Sequence, residues 1–377
     1  MRVIFTCGGT AGHINPALAL AKSLQERKPG TELLFVGAAG ESMEAALVPR
    51  AGYRMEQVDV SSFWRQLNWK SLKHNLRTAR NILVSRRQSK NILEEFKPDL
   101  VVGTGGFASY PVTREAARQG IPTAIHESNA VPGLTTRRLA PHVNCVMVGL
   151  PDPNAGYPPG VRVEVTGTPV RPDFFTKTRR EARAQLGLRD DKPLVLACWG
   201  SLGADAMNIL MTDFVSLCAR REPGFHLIYG TGKRYYGDIT GWLAERGVDL
   251  SAHPELSIRD YIYDMPLVMA AADLVLCRAG ASTISELIAL GKPAILVPSP
   301  NVTGDHQTKN ARVLADSGAG VLLPEKDCDP QRLLREVTEL LNDQARREKM
   351  GRALAALAPP DVNQRILELL LELARAG

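Results

Sequence analysis

Val3-Ile4-Phe5-Thr6-Cys7-Gly8-Gly9-Thr10-Ala11-Gly12-His13, near the head of a 377-residue chain, is a short apolar run that breaks into a glycine turn. Apolar residues then recur as Ile14, Leu18, Ala21 and Leu24, one face of a helix. A strand, a turn of small residues and a helix make one β/α unit of a parallel sheet. Such a loop lets backbone N–H groups approach an anion, and the helix dipole favours negative charge there; a plain tight turn is the other reading. The glycine spacing is not the dinucleotide-binding fingerprint. The second strand ends Phe35-Val36-Gly37-Ala38 with no acid to read a ribose, which argues against a nicotinamide enzyme.

The same alternation predicts strands at Val3–Cys7, Glu32–Val36, Leu100–Gly103, Thr123–His126 and Cys145–Val148. After Gly149–Pro172, a stretch rich in Pro and Gly, it resumes at Leu194–Cys198, His226–Tyr229, Leu274–Cys277, Ala294–Val297 and Val321–Leu323. The expected fold class is α/β: two facing Rossmann-like domains over 1–167 and 168–358. Residues 359–377 follow Pro359-Pro360 and are read as a C-terminal helix returning to the first domain.

Composition excludes disordered and fibrous classes, with 44% hydrophobic and 23% charged residues. The longest apolar candidate, Pro266 to Cys277, contains Asp273 and is too short to span a bilayer. With no signal-type apolar region at the N-terminus, the expectation is a cytosolic chain. The six cysteines lie far apart and read as buried free thiols rather than a zinc or redox motif. The net charge of +6 is local: between Val60 and Leu93 eight Lys and Arg stand with no Asp or Glu, and the remainder sums to −2.

Further small or polar clusters follow predicted strands. Gly103-Thr104-Gly105-Gly106-Phe107-Ala108-Ser109 is a second glycine loop on the same rim as the first. His126-Glu127-Ser128-Asn129 puts polar side chains at a strand's carboxyl end, where they either satisfy one another or face the cleft; the cleft reading is preferred here. In the second half stand Trp199-Gly200-Ser201-Leu202-Gly203-Ala204 and the run Arg278 to Glu286. Thr283 and Glu286 have capping-box spacing, so Glu286 is read either as a helix-capping residue or as a carboxylate for ribose hydroxyls. The one Asp-x-Asp, Asp327-Cys328-Asp329, is read as a helix start, with Asp329 as N-cap and Pro330 at the first helical position. No metal site is expected.

In this order and spacing, and with Gly167-Thr168-Pro169-Val170-Arg171 and His306-Gln307-Thr308-Lys309-Asn310-Ala311, these motifs resemble the MurG family of bacterial peptidoglycan glycosyltransferases over essentially the whole chain. The resemblance implies a GT-B fold, an acceptor- and membrane-binding first domain and a UDP-sugar-binding second domain. It implies inverting transfer of N-acetylglucosamine from UDP-N-acetylglucosamine, bound in the interdomain cleft, to lipid-linked muramoyl-pentapeptide, with no cofactor. Carried over residue by residue, Ser201 and the backbone of Ala281, Ser282, Thr283, Ile284 and Ser285 would meet the diphosphate, and Glu286 the ribose. The backbone of Ile262 would read uracil, Gln307 and Asn129 would bind the sugar with Thr10, Ala11 and Gly12 nearby, and Arg171 would contact the donor. The chain departs from the family pattern at Ala11, Ser128, Trp199 and Leu202. The competing readings are an epimerase acting on the same nucleotide sugar, which needs no acceptor, and an inert nucleotide-sugar-binding protein.

The implied reaction needs a base near the acceptor hydroxyl and stabilisation of departing UDP. His13 is the candidate base, at a helix opening whose dipole favours a neutral, proton-accepting ring; positioning the acceptor is its other reading. In the basic segment, Phe63, Leu67, Leu72, Leu76, Ala79 and Leu83 recur at roughly helical spacing, with Lys70, Lys73, Arg77 and Arg80 between them. Trp64 and Trp69 suit a headgroup region, and Arg86 and Arg87 extend the charge. This predicts peripheral attachment to an anionic surface, the cytoplasmic face of a bacterial membrane, and no nucleic-acid partner. An ordinary surface helix is the alternative.

Overall fold

The computed structural model describes residues 1–60, 84–152, 155–200, 203–222 and 224–376. They form two compact units, Met1–Arg171 with Ala358–Gly377, and Pro172–Leu357.

In the first unit β1 (Arg2–Thr6), β2 (Glu32–Ala38), β3 (Arg54–Val58), β4 (Leu100–Gly103), β5 (Thr123–Glu127), β6 (Cys145–Val148) and β7 (Val163–Val165) build a seven-stranded sheet in the order β3-β2-β1-β4-β5-β6-β7, every pairing parallel. Its helices are α1 (Ala11–Arg27), α2 (Met43–Arg50), α3 over 84–96, α4 (Ser109–Arg118) and α5 (Leu134–Leu139). Alternation along β1 shows why it is apolar throughout. Val3 and Phe5 pack on one face with Ile14, Leu20 and Leu24 of α1, and Ile4 packs on the other with Leu93, Val112 and Ala116. Thr6 pairs with Val36 on one side and Gly103 on the other, so the two glycine loops leave the sheet side by side.

A C-terminal helix, Val362–Ala376, completes this unit. Ile366, Leu367, Leu369, Leu370 and Leu373 are buried against the β1–α1 face. Each such burial is worth about 1.5–3 kcal/mol at most, enough together to dock a helix that is distant in sequence. Gly167 allows the close approach: its φ is +75°, and a Cβ there would lie 2.7 Å from the Val362 side chain.

The second unit repeats the plan with β8 (Leu194–Cys198), β9 (His226–Gly230), β10 (Leu256–Arg259), β11 (Leu274–Cys277), β12 (Ala294–Leu296) and β13 (Val321–Leu322) in the order β10-β9-β8-β11-β12-β13, again parallel. Its helices are α6 (Arg179–Gln185), α7 (Asp205–Arg221), α8 (Tyr236–Glu245), α9 (Met265–Ala271), α10 (Ala281–Leu290), α11 (His306–Asp316), α12 (Pro330–Asn342) and α13 (Gln344–Ala355). The ten strands expected from apolar runs are present, and β3, β7 and β10 are additional. All three lie at sheet edges, where one side meets no neighbouring strand, so Arg54-Met55-Glu56-Gln57-Val58 and Val163-Glu164-Val165 form strands without a continuous apolar run.

Candidate active site

On the rim of the first sheet the two glycine loops interlock. A Cβ on Gly106 would fall 2.1 Å from the Gly8 carbonyl oxygen, and one on Gly105 would fall 2.6 Å from Cδ2 of His13. Both glycines of the second loop are therefore needed for contact as well as for their positive φ. His13 stands in the first turn of α1. Its main-chain carbonyl accepts from Thr104 Oγ1 at 2.7 Å, and its Nδ1 lies 3.0 Å from the Gly8 carbonyl and 3.3 Å from Thr10 Oγ1. A carbonyl can only accept, so Nδ1 carries the proton and Nε2 of the neutral ring keeps its lone pair. The Ser109 hydroxyl, 2.8 Å from the Thr6 carbonyl and 2.5 Å from that of Gly105, ties the second loop to β1.

Beneath the first loop lies Glu44, fully buried in the first turn of α2, which the sequence reading missed. Its Oε2 accepts from the Gly9 N–H at 3.1 Å and its Oε1 from the Ala38 N–H at 3.2 Å. Gly8 and Gly37 make room for it, since a Cβ on either would come within 2.7 Å of the Glu44 side chain. Burial and then the Glu44 charge push the Cys7 thiol up to about 12. Glu44 and Val48, four apart on α2, share its buried face.

Thr10 is the N-cap of α1, and Ala11 and Gly12 follow as its first helical residues. Ala11 is not among the positive-φ residues, so a methyl group at this departure costs no backbone strain.

The His126–Asn129 motif departs from the cleft reading, because the polar groups of His126 and Glu127 are each satisfied by nearby side chains and backbone. Glu127, 5% exposed, accepts from Asn129 N–H (3.0 Å), Asn129 Nδ2 (3.0 Å), Gly133 N–H (3.0 Å) and Thr136 Oγ1 (2.6 Å). His126 Nε2 donates to the Gly167 carbonyl at 2.9 Å, and its Nδ1 lies 3.3 Å from Ser128 Oγ. Burial pulls the His126 imidazole below its ordinary range against the opposing pull of that carbonyl and of Glu127. Asn129 is thus held through its amide by Glu127, at the edge of the network rather than independent of it.

In the second unit α10 begins at Ala281 with Gly280 as N-cap, three residues earlier than a Thr283 cap requires. Thr283 and Glu286 are both inside the helix, so the capping box is absent and Glu286 is a partly buried mid-helix side chain. No side chain caps the first turn and no acid stands in it. The N–H groups of Ala281, Ser282 and Thr283 are orphans of helix geometry. Ser282 Oγ is buried without a hydrogen-bond partner among the described residues, whereas Ser285 Oγ is spent on the Ala281 carbonyl at 2.7 Å. The approach to α10 is braced: Asn310 Nδ2 donates to the Ala279 carbonyl at 3.2 Å, and Arg278 donates to the carbonyls of Val297 and Pro298 while paired with Glu325.

Gln307, in α11, accepts from the Ser299 N–H at 2.8 Å through Oε1. Ile262 is buried beyond the end of β10, with its side chain where a Cβ on Gly230 would reach. Trp199 lies in the core with its indole nitrogen unpartnered among the described residues. Ser201 and Leu202 fall outside the described residues. Asp329 caps α12, accepting from the Arg332 N–H at 2.8 Å. All six cysteines are free thiols.

Arg171 is exposed at the end of the first unit's main segment. Of the basic stretch, Trp64, Trp69, Lys73, Arg77 and Arg80 lie outside the described residues. On α3, Arg87 is exposed, while Arg86 donates through Nε to the buried Glu115 at 3.2 Å. Arg86 therefore has an internal partner, which the sequence reading did not assign. No helix among the described residues is long and apolar enough to cross a membrane.

Residues 3–148 match the glycosyltransferase family 28 N-terminal domain and 194–366 its C-terminal domain. The chain is 39% identical over 375 residues to the UDP-N-acetylglucosamine–N-acetylmuramyl-(pentapeptide) pyrophosphoryl-undecaprenol N-acetylglucosamine transferase of Acetivibrio thermocellus, covering 100% of this chain and 99% of that one. It is 37% identical over 377 residues to the protein of the same description from Moorella thermoacetica, covering 100% of both. The crystal structure of Acinetobacter baumannii MurG matches it with a TM-score of 0.77 at 28% identity, over 98% of this chain and 99% of that one. With both sheets, both glycine loops and full-length relatives in agreement, the chain belongs to the MurG family of GT-B glycosyltransferases within glycosyltransferase family 28.

Proposed function

We propose that the protein transfers N-acetylglucosamine from UDP-N-acetylglucosamine to the 4-hydroxyl of undecaprenyl-pyrophosphoryl-linked muramoyl-pentapeptide, with inversion. The observation that carries the mechanism is His13, whose Nδ1 is committed to the Gly8 carbonyl and whose Nε2 is left as the basic nitrogen. Nε2 takes the hydroxyl proton as the oxygen attacks the anomeric carbon, and the bond to UDP breaks with its electron pair on the diphosphate. The uncapped first turn of α10, with Ala281 to Ser285 and the Ser282 hydroxyl, which has no hydrogen-bond partner among the described residues, receives that charge together with Ser201. Glu286 holds the ribose, the Ile262 backbone the uracil, and Gln307 and Asn129 the sugar, with Thr10, Ala11 and Gly12 near that sugar and Arg171 on the donor.

A donor–acceptor panel tests the reading. Sugar transfer from UDP-N-acetylglucosamine to the lipid-linked muramoyl peptide supports it, and acceptor-independent epimerisation, or no turnover with intact UDP binding, refutes it. Glu286→Ala is expected to weaken UDP binding by about 1–3 kcal/mol, the range for charge-assisted hydrogen bonds, as measured by calorimetry. Unchanged affinity in a folded variant removes Glu286 from the nucleotide site.

For the acceptor to be reached, the first unit works at an anionic bilayer on the cytoplasmic face, through Trp64, Trp69, Lys73, Arg77, Arg80 and Arg87. Each engaged cation is worth about 1 kcal/mol, so a few suffice for reversible binding. Charge reversal at Arg77, Arg80 and Arg87 is expected to weaken sedimentation with anionic vesicles at low salt while UDP affinity holds. Arg86 is left intact in this variant, because reversing it would set a second negative charge beside buried Glu115. Equal vesicle binding by variant and wild type at low salt overturns this assignment.

A further inference from the structure

The Gly8 carbonyl that receives His13 Nδ1 and the Gly9 N–H that binds Glu44 belong to one peptide group. No cis bond occurs among the described residues, so these two groups point in opposite directions, with His13 at the negative end of the peptide dipole and Glu44 at its positive end. We propose that Glu44 is a positioning residue that acts on His13 through this peptide, a carboxylate–peptide–imidazole relay. The proposal rests on His13 being the base.

A carboxylate accepting from one end of an amide draws the N–H proton and raises electron density on the carbonyl oxygen, as hydrogen bonds in a chain reinforce one another. The Gly8 carbonyl thereby becomes a stronger acceptor for Nδ1–H. That fixes the tautomer with the lone pair on Nε2 and offsets the positive charge the ring gains when Nε2 takes the acceptor's proton. This is the task an acid in direct contact performs for a histidine base elsewhere, carried here across one amide. Burial strengthens the coupling: Glu44 is fully buried, and its second oxygen is tied to the Ala38 N–H, so the carboxylate cannot swing away. The stacked loops hold the ring, since Gly105 and Gly106 leave no room for a side chain between them and the His13–Gly8 pair. A purely structural role would require only an acceptor for two N–H groups. The arrangement instead aligns a charge, an amide and an imidazole through consecutive hydrogen bonds of 3.1 and 3.0 Å.

The test combines Glu44→Gln, which keeps the shape and removes the charge, with 15N-histidine spectroscopy. In the wild type the neutral His13 ring is expected to show a protonated Nδ1 and a bare Nε2; the opposite tautomer overturns the relay without any variant. Glu44→Gln is expected to populate both tautomers and to lower kcat by about 10–100-fold, the range for groups that orient a functional histidine, with UDP affinity and donor KM unchanged. In a His13→Ala background the same substitution is expected to cost little more, because its route is gone. A wild-type tautomer signature and kcat in Glu44→Gln, or an equal loss in both backgrounds, overturns the relay. Full turnover by His13→Ala removes the base assignment instead, and the 15N signature of Glu44→Gln still decides whether Glu44 controls the ring.

Discussion

Replacing His13 by alanine is expected to lower kcat by about 10²–10⁴-fold, the usual yield of general base catalysis, while UDP affinity stays within about twofold. The split follows from where the residue sits. His13 is on the rim of the first unit, in the opening turn of α1, and the groups assigned to the nucleotide belong to α10 of the second. Its ring contributes no anchor to a core: it is partly exposed, with its backbone held independently by the Thr104 hydroxyl. The alanine variant should therefore fold, and thermal melting within a few degrees of wild type would confirm that only chemistry has been lost. His13→Gln is informative beside it, since an amide can meet the Gly8 carbonyl but cannot take up a proton at neutral pH. If the glutamine variant restores turnover, His13 positions the acceptor and the base lies elsewhere. A loss below about tenfold in the alanine variant likewise moves the base to another residue.

The second large effect is on stability. Glu127→Ala is expected to destabilise the first unit by about 3–5 kcal/mol, because it strips partners from Asn129 N–H and Nδ2, Gly133 N–H and Thr136 Oγ1 at once. Each buried donor left unsatisfied costs about 1–3 kcal/mol, and water entering the vacated space recovers part of the sum. For a unit of this size each kcal/mol moves Tm by about 2–4 °C, so calorimetry should register a drop of roughly 10 °C or more. The reading in which this motif faces substrate predicts the reverse pattern, a stable protein with impaired turnover. A Tm within about 2 °C of wild type would return Glu127 to the substrate side.

How far the site was readable depends on what fixes each part. His13 and both glycine loops were legible because strand, turn and helix follow one another within a dozen residues, and the turn chemistry is local. The capping box at Thr283 was misread because its spacing is satisfied by any Thr and Glu three apart. What decides the start of α10 is where β11 ends and Gly280 breaks from it, and that places the first helical residue at Ala281. Glu44 escaped because its function is to accept from Gly9 and Ala38, partners set by packing α2 beneath the first loop rather than by any local pattern.

The class of fold and the family are written in local patterns along the chain, since buried parallel strands demand continuous apolar runs and the rim loops demand glycine at fixed places. Those patterns leave out β3, β7 and β10, edge strands whose hydrogen bonds come from a neighbour rather than from their own hydrophobicity. Which polar residues are used up in holding the molecule together is set by packing between distant elements. His126 and Glu127, Arg86 and Glu115, and Glu44 beneath the glycine turn all have partners that arrive from other elements. A buried charge or imidazole is stable only with its partners in place. Those partners lie far apart along the chain in most of these cases, so no spacing rule could have assigned them before the chain was folded.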